Sequence, residues 1–202
     1  MAVQHSSIGL LGGSFDPVHN GHLSIAKSFL GSDLLDELWI LLTPDPPHKA
    51  DRPQADYQLR LEMLQFAFSD FDNIKVSDIE KQLPQPSYTI QTLKYLKEQY
   101  PEQTFYLCIG GDSLQDFKKW KDWQEILDYT DLLVARRPNM SINKIDKILR
   151  NDVHFVDHEP IEVSSTMIRD AVASGDDISG LVPSSVKHII DNKQLYRDKI
   201  DE

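Results

Sequence analysis

The sequence predicts an α/β fold, a doubly wound parallel sheet in one domain spanning 1–202 with a small helical part on its C-terminal side. Three observations carry this. Apolar runs of strand length alternate with stretches of helical periodicity along the chain. The runs at 37–43 and 104–109 are apolar almost throughout, as strands covered on both faces require. Two strands end in paired glycines, Gly12-Gly13 and Gly110-Gly111, and ligands gather at the carboxyl ends of parallel strands.

Taken in order, 8–11 is the first buried strand, and the chain then turns through Gly12, Gly13 and Pro17. The glycines either supply positive φ for a tight turn or let the main chain approach a ligand closely. A helix follows over 21–29, with Leu23, Ala26 and Phe29 on one face. Its N-terminus presents unpaired N–H groups and the positive end of a dipole, which suit phosphate, and His19 and His22 bracket it. Histidines three apart also suit zinc, but a zinc site needs further ligands and the one cysteine, Cys108, lies far off in an apolar strand pattern.

The second strand, 37–43, ends in Pro44-Asp45-Pro46-Pro47-His48-Lys49, where three prolines impose a loop. A crossover helix over 55–69 places Leu59, Met63, Phe66 and Ala67 on one face, with Arg60 and Glu62 away from it. A short strand at 74–76 precedes a Pro84–Ser87 turn, and Ser87 is suited to cap a helix running to Tyr100. After the strand at 104–109, Asp112 is placed either to accept from a ribose or to cap the next helix. Phe117, Trp120 and Trp123 follow among lysines, and a strand at 132–135 leads into Arg136-Arg137. A helix over 141–150 and an edge strand at 153–156 come next. Ser164 or Ser165 then opens a helix that Gly175 ends, carrying Arg169 in its early turns as a second anion site. Pro183 begins the last helix.

Composition narrows the function classes. A net charge of −11 argues against a nucleic-acid partner, although a small anion can be held if Lys49, Arg136, Arg137 and Arg169 converge. No apolar run approaches the ~20 residues of a membrane span. No signal-like N-terminus is evident, and a single cysteine cannot form an internal disulfide, so a cytoplasmic location is expected.

The run Gly12-Gly13-Ser14-Phe15-Asp16-Pro17-Val18-His19-Asn20-Gly21-His22 resembles the N-terminal signature of the nucleotidyltransferase superfamily marked by a His-x-Gly-His tetrapeptide. Together with Pro46-Pro47-His48-Lys49, Ser87-Tyr88-Thr89 and Val163 to Arg169, it is most similar to the bacterial nicotinate-nucleotide adenylyltransferase family, over nearly the whole chain. The resemblance implies a Rossmann-like nucleotidyltransferase fold. It implies transfer of AMP from ATP to nicotinate mononucleotide, giving deamido-NAD and pyrophosphate in NAD biosynthesis. The departures are mild: Ser14 stands where Thr is frequent, and a glycine stands at 111.

Site residues follow from the same resemblance. His19, His22 and Arg169 are the implied catalytic groups, the imidazoles on the α-phosphate and the guanidinium on the outer phosphates. Gly12, Gly13, Ser14 and Phe15 would lie along ATP, joined by Gly110, Asp112, Arg136, Ser165 and Thr166. Ser14, Phe15 and Arg137 would also touch the mononucleotide, with His48 and Lys49 near its phosphate. Main-chain N–H groups at Tyr88 and Thr89 would receive the nicotinate carboxylate, and Trp120 would stack on the pyridine ring. No residue is assigned as a metal ligand; Mg2+ is expected to arrive on the ATP phosphates. The implied partners are ATP and nicotinate mononucleotide, with no nucleic acid and no membrane, and homo-oligomerisation is left open.

Three rival readings are distinguishable. Pantetheine-phosphate adenylyltransferase shares the glycine loop but lacks the Pro-Pro-His-Lys and Ser-Tyr-Thr segments. A non-catalytic nucleotide sensor would have an eroded histidine pair, which here is intact. A Rossmann oxidoreductase would carry Gly-x-Gly-x-x-Gly after the first strand, which is absent.

Overall fold

The computed structural model describes residues 6–45, 55–136 and 152–197. Six parallel strands are present among them: β1 (Ser7–Gly13), β2 (Glu37–Leu42), β3 (Ile74–Ser77), β4 (Thr104–Gly110), β5 (Asp131–Arg136) and β6 (Val153–Asp157). They lie in the order β3-β2-β1-β4-β5-β6, so the winding reverses between β1 and β4. The doubly wound sheet expected from the apolar runs is therefore the one found.

Helices cover both faces, which explains why the central strands are apolar on both sides. On one face α1 (Asn20–Leu30), α2 (Tyr57–Ala67), α6 (Ser165–Ser174) and α7 (Ser184–Asn192) bury Phe29, Met63, Leu64, Ile168 and Ile190 against Leu38, Ile40 and Leu133. On the other, α3 (Thr89–Gln99), α4 (Gly111–Asp116) and α5 (Trp123–Tyr129) bury Leu93, Leu96, Leu114 and Ile126 against Leu10, Leu107 and Val134. Gly9 permits this packing in β1, because a Cβ there would lie 2.5 Å from Leu35 and 2.9 Å from the Cys108 sulfur. Among the described residues no helix is long and apolar enough to cross a membrane.

Several local expectations need correction. Gly12 and Gly13 do not take positive φ: β1 runs on through them, and Phe15 makes the bend, at φ 43°. In α2 the buried face is Arg60, Leu61, Met63, Leu64 and Ala67, whereas Phe66 is 52% exposed. Apolar spacing misplaced that face because one buried position is filled by an arginine. Ser87 does not cap α3; Tyr88 is the N-cap residue, and the Ser87 hydroxyl donates to Gln85 Oε1 at 2.9 Å. Ser164 is the cap of α6, accepting from the Met167 N–H at 3.2 Å, and Gly175 ends that helix at φ 77°. The expected helix over 141–150 and the site residues His48, Lys49 and Arg137 lie outside the described residues.

Candidate active site

Where the sheet's winding reverses, a cleft of about 380 Å³ opens over the C-terminal ends of β1 and β4. Its floor is main chain. Gly12 and Gly110 both line it, and a Cβ added to either would meet nothing within 4 Å, so bare backbone faces the space a ligand would fill. Gly13, Ser14, Phe15, His22 and Ser165 line the same cleft, with Tyr88, Thr89 and Trp120 further along it. Ten of the implied binding residues thus converge from four parts of the sequence.

The two histidines are not equivalent. His22 lines the cleft; His19, the N-cap residue of α1, is 7% exposed and does not. Their rings stack with centroids 3.7 Å apart, and the Phe15 ring meets His22 edge-on at 4.9 Å. Gly21 leaves little room between them, since a Cβ there would lie 3.0 Å from His19 Nδ1 and 3.1 Å from Val163. Burial lowers the His19 pKa to about 4, so this ring is uncharged at neutral pH. The His19 main-chain N–H donates to His22 Nδ1 at 3.2 Å, which places the His22 proton on Nε2. The pair presents an oriented N–H donor backed by a neutral ring.

The helix starts are less open than the sequence implies. At α1 the Asn20 N–H already donates to Leu181 O at 2.9 Å and the His22 N–H to His19 O at 2.8 Å. At α6 the Ser165 hydroxyl donates to Pro17 O at 2.9 Å, so what Ser165 offers an anion is its main-chain N–H. Arg169 does not line the cleft. It is half-buried, with Nη1 donating to Asp16 O at 2.8 Å and Nη2 to Thr166 Oγ1 at 3.3 Å, while its buried Nε has no partner. Arg136 pairs with Asp157 across the β5–β6 edge, so it too is already engaged. Asp112 is exposed in the first turn of α4, and Ser113, beside it, is the residue that reaches the cleft.

A polar scaffold that sequence reading missed fixes the loop. Arg60, 2% exposed, donates through Nη1 to Ser14 O at 2.7 Å and Thr43 O at 3.0 Å, and through Nη2 to Pro44 O at 3.3 Å. It thereby ties the loop after β1 to the loop after β2. The buried Asp16 carboxylate accepts from Ala55 N–H at 3.1 Å and from the Tyr196 hydroxyl at 2.8 Å. Burial, then Asp16, push the Tyr196 phenol far up. At the opposite end, Glu80, Thr92 and Lys121 also line the cleft. Among the described residues no three His, Cys, Asp or Glu side chains cluster as a metal site would need.

The cytidylyltransferase-like family model matches residues 10–171. A Flavobacterium johnsoniae protein named probable nicotinate-nucleotide adenylyltransferase is 38% identical over 94% of this chain and 98% of its own. The Bacillus subtilis nicotinate-nucleotide adenylyltransferase is 35% identical over 94% of this chain and 97% of its own. Among solved structures, Plasmodium falciparum nicotinic acid mononucleotide adenylyltransferase complexed with NaAD superimposes with a TM-score of 0.78 at 20% identity, covering 95% of this chain and 98% of that one. At that identity the superposition speaks for the fold.

Proposed function

Because the chain belongs to the cytidylyltransferase-like family, and within it to the nicotinate-nucleotide adenylyltransferases, we infer that its cleft is where AMP passes from ATP to nicotinate mononucleotide. The products are deamido-NAD and pyrophosphate, and the step belongs to NAD biosynthesis. The single observation that carries the reading is the convergence of His22, the bare Gly12 and Gly110 backbone and the Tyr88-Thr89 helix start in one cleft.

The acceptor's 5′-phosphate is already an anionic nucleophile, so in-line attack on the α-phosphorus needs positioning and charge neutralisation more than a base. His22 Nε2–H donates to the α-phosphate as charge grows there. His19 stays neutral and orients its neighbour. Pyrophosphate leaves past the start of α6, where Ser165 lines the cleft; Arg169 stands behind it, its Nη1 holding the Asp16 carbonyl of the loop after β1. The imidazole and guanidinium donors here suit the phosphates, not a hard cation, so Mg2+ would be held by ATP itself, as part of the substrate, and would supply charge neutralisation there.

At the far end the first N–H groups of α3 have no intrahelical acceptor and can receive a carboxylate. The Tyr88 N–H is spanned by Gln91 Oε1 at 3.3 Å, so Thr89 and Ile90 supply the open donors unless Gln91 moves aside. Trp120, half-buried beside Phe117 at 5.6 Å, offers the stacking face. A cytoplasmic setting, where ATP and mononucleotides are available, is part of this proposal.

Pyrophosphate release measured with ATP and Mg2+ against nicotinate mononucleotide, nicotinamide mononucleotide and phosphopantetheine tests it. Turnover is expected to be highest with nicotinate mononucleotide. Equal rates with the amide would overturn the carboxylate recognition, and preference for phosphopantetheine would overturn the acceptor assignment.

A further inference from the structure

The acceptor end of the cleft holds a carboxyl group that the reaction as described does not use. Glu80 sits in a 3-10 turn (Ile79–Gln82) after β3 and is 6% exposed. Its Oε1 accepts from the Thr92 hydroxyl at 3.1 Å, and its Oε2 is shut off from water with no hydrogen-bond partner. Thr92 lies one helical turn beyond Thr89, so this carboxyl is in the wall against which the acceptor's ring substituent would rest.

We propose that Glu80 is a specificity-determining residue: as the acid it tolerates an anionic substituent on the acceptor ring, and as the carboxylate it turns that substituent away. The proposal rests on the acceptor reading above. A buried carboxyl whose donors are the Thr43 and Thr92 hydroxyls, with no cation bonded to it, is a poor place for charge, and two carboxylates in one low-dielectric wall repel. Burial raises the Glu80 pKa, and the hydroxyls of Thr43 and Thr92 pull less strongly the other way. The surrounding ionisable groups are Tyr57 and Arg60 from α2, Asp78 and Lys81 before and within its own turn, Tyr88 at the start of α3, and Lys121 across the cleft. Two of the cations are directed elsewhere: Arg60 to the three carbonyls described above, and Lys81 over the Tyr57 ring at 4.9 Å. Lys121 lies over the Tyr88 ring at 4.3 Å.

The test is kcat/KM for nicotinate and nicotinamide mononucleotide, each with ATP, from pH 5.5 to 9 in wild type and Glu80→Gln. Taking the ratio of the two acceptors cancels the titration of their common phosphate. In wild type the acid-to-amide ratio is expected to fall on the order of tenfold as pH rises through the Glu80 ionisation. In Glu80→Gln it stays flat near the wild-type low-pH value. Should that variant not fold, Thr92→Val answers: losing a donor to the charged form moves the wild-type inflection to higher pH. A flat wild-type ratio, or the same fall persisting in Glu80→Gln, would overturn the proposal. A wild type that turns over neither acceptor would overturn the acceptor reading, and this with it.

Discussion

The end of the cleft built on the loop after β1 and the end built on the start of α3 differ in which buried atoms are left without partners. At the first, Ser14, Asp16 and Pro17 have their carbonyls taken by Arg60, Arg169 and Ser165, and the unpaired buried atoms are nitrogens of His19, Arg60 and Arg169. At the second, the unpaired buried atoms are oxygens of Glu80 and Tyr57. Leftover guanidinium N–H groups favour an incoming anion, while leftover acidic oxygens make the charge of a ligand matter. One end is preorganised for phosphate, and the other is discriminating.

The contrast breaks most readily at His22. Its Nε2–H is the cleft-lining donor, so His22→Ala is expected to lower kcat by about 10²–10³ with an unchanged circular dichroism spectrum. Near-wild-type turnover would move the transition-state donor elsewhere.

His19 tests the same end through stability. Its folded pKa of about 4 lies below the ordinary histidine value of 6.5, so the unfolded chain takes up this proton first. The contribution is complete above pH 6.5 and is lost as pH falls toward 4, by about 3 kcal/mol in all. Urea denaturation across that window should show the slope in wild type and its loss in His19→Asn; parallel slopes would mean the ring is not buried neutral.

The smallest effect sharpens the other end. Trp120→Ala should raise the acceptor KM about tenfold through lost stacking while leaving the KM for ATP in place. A change in both would mean that the two ends are not separable.

Strands were legible because both-sided burial writes an apolar run, and 37–43 and 104–109 fall within a residue of β2 and β4. The glycine loop was legible as a motif, but its mechanics were not: nothing in Gly12-Gly13 says that Phe15 would take the positive φ. Arg60 and Glu80 were illegible for one shared reason. Charged residues are read as surface, and what buries these two is a set of partners brought from Ser14, Thr43 and Pro44 in one case and Thr92 in the other, none adjacent in sequence. The asymmetry of His19 and His22 was likewise hidden, since a tetrapeptide gives spacing and not depth.

Tyr196 reaching Asp16 makes assembly of this loop a late event. A nascent chain can pair all six strands before residue 196 has emerged, yet its glycine loop would still lack the phenol that closes on the aspartate. A truncation just ahead of residue 196 would remove this last tie and leave the loop to those from Ala55, Arg60, Ser165 and Arg169.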